Sequence, residues 1–332
     1  MKLRVENLAR IKEAEVDVKN LTLFVGQNST HKSYMAHVIY ESAIIGESKE
    51  LLERINQSFN TGKDILKNIF IENKDFNQDD LYYFPASRSG YTLALEAIYA
   101  GMFSNSVRGR KNPSRLTDPT IDFIEEFYNI KTKENYSNTL FSLGAKNTDK
   151  LINFLQSNII KGKIVEDINE FNYSNYYLKV EDKKIDLHLA SSATLEILPF
   201  IVFLKNTLDI SKTFFVIEEP EAHLHPKAQI QMARFIVMLS NAGAKVLVTT
   251  HSDYILNEIN NCIKQDSLNE KSEFSISKDN VSAYLFKNED EETSVKNLEI
   301  NKFGISNDNF DEALEELLDL SNELNERIID NE

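Results

Sequence analysis

A mixed α/β fold with a helical insertion is what this 332-residue chain predicts. Three observations point to it. Leu21-Thr22-Leu23-Phe24-Val25 is a nearly continuous apolar run, the pattern of a strand buried on both faces, and it leads straight into Gly26 and a polar loop. From residue 190 onward, apolar helical and strand patterns alternate with short breaks, the mark of a sheet covered by helices. Between these regions, from about 49 to 163, the chain is mostly polar and helical in pattern, with breaks near Pro85, Gly90, Gly109, Pro113 and Pro119. It carries no sustained heptads, which argues against a long coiled-coil arm. The expected division is residues 1–50 for the N-terminal strands, glycine loop and first helix, 51–165 for the helical insertion, and 166–332 for the rest.

Composition narrows the class. With 42% hydrophobic residues the chain can bury a sizeable core. The most apolar stretch, around 195–208, is interrupted by Glu196, Pro199 and Lys205, so it reads as a buried helix and no membrane span is expected. The N-terminus, Met1-Lys2-Leu3-Arg4-Val5-Glu6, lacks a signal-peptide pattern, and the single cysteine, Cys262, fits a reducing compartment; the cytoplasm is the expected location. A formal charge of −15 disfavours nucleic acid as a general partner, so any such contact would need a local basic patch. Arg108, Arg110, Lys111 and Arg115 form the one candidate, with a solvated loop as the alternative because no aromatic residue interleaves them.

In order along the chain, strands are expected at 3–8 and 21–25 and a helix at 33–45, where Tyr34, Met35, Val38, Ile39 and Ser42 recur at helical spacing. A strand pair at 172–180 and 184–189 flanks the turn Glu181-Asp182-Lys183. A buried helix at 193–208, a strand at 213–217, a helix at 226–241, opened by Pro226 and closed near Gly243, and a strand at 244–249 follow. A strand at 281–286 and an acidic helix at 309–325 complete the reading.

Four short segments carry the chemistry: residues 26–33, 191–194, 213–221 and 246–252. Gly26, Gln27, Asn28, Ser29, Thr30, His31, Lys32 and Ser33 sit between a strand and a helix, the context of a phosphate-binding loop. Backbone N–H groups of such a turn, with the helix N-terminus, point at phosphates; Lys32 would neutralise the β- and γ-phosphates and the Ser33 hydroxyl would meet Mg²⁺. Gln27 and Asn28 would add loop geometry or a nucleotide contact. His31 stands where glycine is usual, and restoring glycine is expected to let the backbone close more readily on phosphates. The strand at 213–217 runs into Glu218-Glu219, one carboxylate for the magnesium side and the next to activate a water. The stiff turn Pro220-Glu221-Ala222-His223-Leu224-His225-Pro226 would be an odd choice for a solvated strand end. A second buried strand ends in Thr250-His251-Ser252 and brings His251 to the same carboxyl edge, where open α/β sheets bind ligands. An alternative reading gathers Glu218, Glu219, Glu221, His223, His225 and His251 into a metal cluster, making a metal-dependent nuclease that leaves Lys32-Ser33 without a role.

These segments resemble the ABC-type ATPase heads of the group that includes the SMC and RecF proteins and, more closely, the OLD-type and AAA family ATPases of bacterial abortive-infection and anti-phage defence systems. The resemblance covers residues 1–60 and about 170–320 and is strongest from Ile217 to Pro226. It implies a two-lobed, P-loop NTPase head that takes ATP and Mg²⁺, with Glu218 as the magnesium-side acid, Glu219 as the catalytic base and His251 as the switch histidine. Ser191 and Ser192 align with signature serines that, in such dimers, cap the γ-phosphate of the opposite subunit; Ala193 replaces the usual glycine. Residues 83–90 are similar to a motif of the defence ATPases and place Arg88 near the nucleotide; the alternative is a turn with a surface arginine. The implied function is an ATP-binding and ATP-hydrolysing switch, a homodimer or higher homo-oligomer through ATP-sandwiched heads, acting as sensor or regulator of a defence system. No nuclease domain is read after residue 320, so a toxic activity is expected on a separate effector protein. The losses of glycine at His31 and Ala193 leave open a nucleotide-binding scaffold with decayed hydrolysis.

Overall fold

The computed structural model of the chain describes residues 1–46, 49–59, 65–72, 80–107, 116–132, 145–170, 174–270 and 272–306. The chain opens with an antiparallel hairpin, β1 (Lys2–Leu8) and β2 (Ile11–Asp17), in which Leu3 pairs with Val16 and Val5 with Ala14. Alternate residues are buried, as expected of a sheet with one covered face. β3 (Leu21–Val25) is buried at every position and ends at the glycine loop, from which α1 (Lys32–Ile45) departs. α2 (Lys49–Ser58) follows, then β4 (Asn68–Glu72), β5 (Asp80–Phe84), α3 (Arg88–Val107), α4 (Asp118–Thr132) and α5 (Ala145–Leu155).

The stretch expected to be a helical insertion therefore contains two strands that belong to the sheets. β4 lies antiparallel beside β1, and β5 forms an edge of the central sheet. Both are five residues long and take partners far away in sequence, so no local period marked them.

A small antiparallel sheet comes next: β6 (Lys163–Ile168), β7 (Ser174–Val180) and β8 (Lys183–Asp186). Leu187–Leu189, expected to continue the last strand, is a short helical turn. α6 (Ser192–Asn206), β9 (Thr213–Glu218), α7 (Pro226–Asn241), β10 (Lys245–Thr250) and α8 (Asp253–Ser267) fall within two residues of expectation where the sequence predicted them. β11 (Val281–Glu289) and β12 (Glu292–Asn297) form a hairpin, followed by the two-residue strands β13 (Ile300–Asn301) and β14 (Gly304–Ile305). The expected helix at 309–325 lies outside the described residues.

The central sheet has the order β12-β11-β3-β10-β9-β5, parallel except for β12. Its period-two alternation divides the core into two layers. Leu21, Leu23, Phe215, Ile217, Val246 and Val248 face one cluster, with α4 to α8. Phe24, Phe214, Val216, Leu247, Tyr284 and Phe286 face the other, with α1, α2 and the β2-β1-β4 sheet. α6 is buried at every position from Thr194 to Leu204, Pro199 included, which matches its apolar character on all sides. Among the described residues no helix is long and apolar enough to cross a membrane.

Candidate functional site

Because β3, β10, β9 and β5 are parallel neighbours, the segments that follow them all leave the sheet at one edge. The register puts Thr250 opposite Val25, Thr249 opposite Glu218 and Phe84 opposite Ile217. Four segments separated by up to 225 residues in sequence thus converge: the loop at Gly26, the motif at Pro85–Arg88, the carboxylates, and His251.

The loop at Gly26 is held in a strained conformation. Gly26 has φ of 142°, and a Cβ there would fall 2.1 Å from the Phe286 carbonyl oxygen, so only glycine lets β3 turn beside β11. Ser29 and His31 are left-handed, with φ of 61° and 65°. His31 is thus in a backbone conformation that favours glycine, and its ring is anchored there: Nδ1 lies 2.9 Å from the Thr293 hydroxyl of β12 and the ring meets Tyr34 edge-on. Burial and the nearby Arg10 push the His31 pKa down, which favours the neutral ring. Lys32 folds back across the loop; its Nζ donates to the Gly26 carbonyl at 2.8 Å, the Gln27 carbonyl at 2.6 Å and the Thr30 hydroxyl at 3.2 Å. Burial lowers the Lys32 pKa, and Glu219 and Glu221 oppose that shift across the site. Gln27, Asn28, Ser29 and Ser33 are exposed, and Thr30 is buried with its hydroxyl donating to Gln27.

Glu218 ends β9 almost fully buried, which raises its pKa, while the Ser33 hydroxyl, Tyr83 and the Ala86 backbone favour the charged form. Its Oε1 is buried with no hydrogen-bond partner. An orphaned carboxylate oxygen beside the serine that opens α1 suits a hard divalent cation that takes few protein ligands and completes its shell with phosphate and water. The residues present therefore fit Mg²⁺. Glu219, at φ of 41°, is half-exposed; its N–H donates to the Thr249 carbonyl at 2.8 Å, and its carboxylate lies 3.8 Å from His251 Nδ1.

Glu221 is the residue whose role in the site the sequence did not indicate. Only 5% exposed, its Oε1 accepts from the Thr250 hydroxyl at 2.8 Å and from the His251 N–H at 2.9 Å, and lies 3.4 Å from His251 Nδ1. It pins the end of β10 to the turn after β9 and so sets where His251 sits. The sequence placed Glu221 in a stiff turn and in the alternative metal cluster, but its bonds to Thr250 and His251, and its burial, arise only when β10 is in place.

Arg88 is neither a surface arginine nor open to a nucleotide. Its side chain is 0% exposed and ion-paired to Glu196, itself 0% exposed, and it bonds to the backbone carbonyls of Glu218 and Glu219, so it lies behind the carboxylates. Ser191 caps α6, its hydroxyl accepting from the Thr194 N–H, and Ser191 and Ser192 are exposed. The residues Arg108, Arg110, Lys111 and Arg115 lie outside the described residues. Among the described residues no grouping of three or more His, Cys, Asp or Glu side chains could hold a metal ion, which removes the support for the nuclease reading. The reason is local: Glu221 is committed to Thr250 and His251, His225 Nδ1 caps α7, and His223 turns toward Glu196.

A glycine loop between β3 and α1, a carboxylate pair ending the strand two places away and a histidine ending the strand between them meet at one sheet edge of a P-loop NTPase fold. The chain belongs to the AAA ATPase domain family (AAA_15), which it matches over residues 41–256, a span that holds Glu218, Glu219 and His251. Its fold is similar to that of an Smc head solved bound to the C-winged helix domain of ScpA, with a TM-score of 0.53, 16% identity, and 91% of this chain and 98% of that one covered. An Smc head domain with an extended coiled coil from Pyrococcus furiosus gives a TM-score of 0.47 at 11% identity, with 98% of each chain covered. An ATP-binding cassette of an ABC transporter in its ADP conformation gives 0.41 at 14%, covering 86% of this chain and 87% of that one. No curated protein matches the chain.

Proposed function

We propose that the chain is an ATP-hydrolysing switch that works as an ATP-sandwiched homodimer or higher homo-oligomer. The observation that carries this reading is the meeting at one sheet edge of Lys32, the Ser33–Glu218 pair and the Glu219–His251–Glu221 group. Gly26 to Thr30 and His31 would cradle the phosphates with backbone N–H groups, and Lys32 would exchange its carbonyl partners for phosphate oxygens. Ser33 and Glu218 would hold Mg²⁺, which supplies charge neutralisation at the phosphates when bound. Glu219 would take the proton of the attacking water, and His251, oriented by Glu221, would face the γ-phosphate. Ser191 and Ser192, exposed at the start of a buried helix, would serve the nucleotide of the opposite subunit.

Glu219→Gln tests the assignment: the amide keeps the shape but cannot accept a proton, so ATP binding should persist while turnover falls at least about 100-fold. Wild-type turnover in that variant would sink it. Pairing in trans is tested by mixing a Lys32→Ala subunit with a Ser192→Arg subunit, which should recover activity from one intact composite site; hydrolysis by a strictly monomeric protein would refute it.

The motif resemblance from Ile217 to Pro226 and at residues 83–90 supports a cytoplasmic role as sensor or regulatory ATPase of an anti-phage defence system, with a separate effector protein. Arg108, Arg110, Lys111 and Arg115 are the segment nominated for nucleic acid. Phage challenge of cells carrying the gene and its neighbours, with and without Glu219→Gln, tests this role: equal plaque counts with and without the genes would reject it.

A further inference from the structure

We propose that Arg88 and Glu196 are positioning residues for hydrolysis: their buried ion pair fixes the backbone of Glu219 and ties it to the helix that opens at Ser191 and Ser192. The inference rests on the reading of Glu219 as the catalytic base.

A guanidinium carries five N–H donors and no acceptor, and burying it is unfavourable unless a counter-charge and hydrogen bonds replace water. Arg88 has both. Its Nε lies 3.0 Å from Glu196 Oε2. Nη1 donates to the Pro85 carbonyl at 2.9 Å and to the Glu218 carbonyl at 2.5 Å, and Nη2 donates to the Glu219 carbonyl at 3.1 Å. Two of the three carbonyls it holds belong to the carboxylate pair.

The consequence falls on Glu219. At φ of 41° it occupies a conformation that non-glycine residues avoid, and such conformations persist only where the surroundings impose them. Its N–H is tied to Thr249 of β10 and its carbonyl to Arg88, so both flanking peptides are held and the direction of the carboxylate follows. Glu196 extends the grip. It sits one turn into α6, its Oε1 accepts from the Ser89 N–H at 3.1 Å, and His223 Nε2 of the turn beyond Glu219 lies 4.0 Å from the same oxygen. One carboxylate thus gathers the start of α3, the start of α6 and the loop after the catalytic pair. Displacement of α6 at its exposed N-terminus would be felt at Glu219 through this buried ion pair.

A buried ion pair by itself can often be replaced by well-packed apolar side chains of similar volume without loss of stability, although here the replacement also takes partners from the Pro85, Glu218 and Glu219 carbonyls and the Ser89 N–H. That gives the test. Equilibrium ATP binding and steady-state hydrolysis are measured for the wild type, for Glu219→Gln, for the double substitution Arg88→Met with Glu196→Leu, and for Arg88→Lys. The double variant should fold and bind ATP within about threefold of the wild type, with KM little changed, while kcat falls about 100-fold, the scale expected for a displacement of about 1 Å. Arg88→Lys, which keeps the charge but loses the fork, should lose kcat at least about tenfold with binding intact. It carries the same kcat-against-KM comparison should the double variant fail to fold. Wild-type kcat in either folded variant, or a loss of ATP binding that matches the loss of turnover, overturns the proposal while leaving Glu219 in its role. Wild-type turnover in Glu219→Gln overturns the base assignment and this inference with it.

Discussion

Replacing Lys32 by alanine separates what this side chain does for the empty loop from what it does for phosphate. Lys32 is 6% exposed, and its ammonium group bonds to Gly26, Gln27 and Thr30. A charge-assisted hydrogen bond to phosphate contributes about 1.5 to 3 kcal/mol, or roughly 10- to 150-fold in affinity. The three bonds already made must be given up on binding, so the net loss in Lys32→Ala should fall in the lower half of that range, about 2 kcal/mol, or roughly 30-fold. Losing the same bonds leaves the buried Gly26 carbonyl without its partner, which costs about 1 to 3 kcal/mol, partly offset by the removal of a desolvated charge. Titration calorimetry with ATP and with ADP, in the presence of Mg²⁺ and at fixed ionic strength, reads the first quantity. Urea unfolding without nucleotide reads the second. The ADP deficit should be smaller, because one of the phosphates that Lys32 serves is missing. Affinity within about twofold of the wild type, in a variant shown to be folded, would refute the assignment of this loop as a phosphate site.

Two further outcomes follow from the same geometry. His31→Gly looks from sequence like a repair, yet His31 already holds a φ of 65°, so the backbone needs no further relief to adopt the loop conformation. Relief of left-handed strain contributes about 1 to 2 kcal/mol, against about 0.5 to 1.5 for the Thr293 hydrogen bond, a similar amount for the Tyr34 contact and about 0.5 to 1 for glycine's entropy. The variant should therefore lose roughly 1 kcal/mol of stability with ATP affinity changed less than about threefold; a tenfold gain in affinity would contradict this. Glu41, 1% exposed on α1, has its pKa raised from 4.5 to about 7, chiefly by burial, with Asp122 and Asp118 adding to the shift and Arg54 opposing it. The folded form thus holds a proton that the unfolded chain releases, so this contribution is fully present below about pH 4.5 and is lost as the pH rises toward 7, by ~3 kcal/mol in all. Glu41→Gln should flatten that part of a pH series of urea unfolding curves, and an unchanged slope would show that the pH dependence lies elsewhere, for instance in Asp122, whose pKa is also raised.

The sequence alone determined the elements whose pattern is local. β3, β9 and β10 are buried on both faces and read as apolar runs, α6 is apolar on all sides, and α7 is bounded by Pro226 and Gly243; these bounds hold to within a residue or two. Most of the candidate site was legible for the same reason, because the glycine loop, the carboxylate pair and His251 are the short tails of three such strands, and a parallel sheet sends those tails to one edge. Tertiary structure decided what depends on a distant partner. β4 becomes a strand by lying along β1, and β5 by lying along β9, more than 130 residues away in sequence. Whether Arg88 would lie on the surface or inside could not be read from residues 83–90, since a guanidinium enters the interior only where a counter-charge waits, and that charge is Glu196, 108 positions on. The same holds for Glu221, buried because Thr250 and the His251 N–H supply donors, and for His31, kept in a glycine-like conformation by Thr293 of β12. Burial of a charged or strained residue is a property of its partners, and hydrophobic periodicity carries no record of partners that the chain supplies elsewhere.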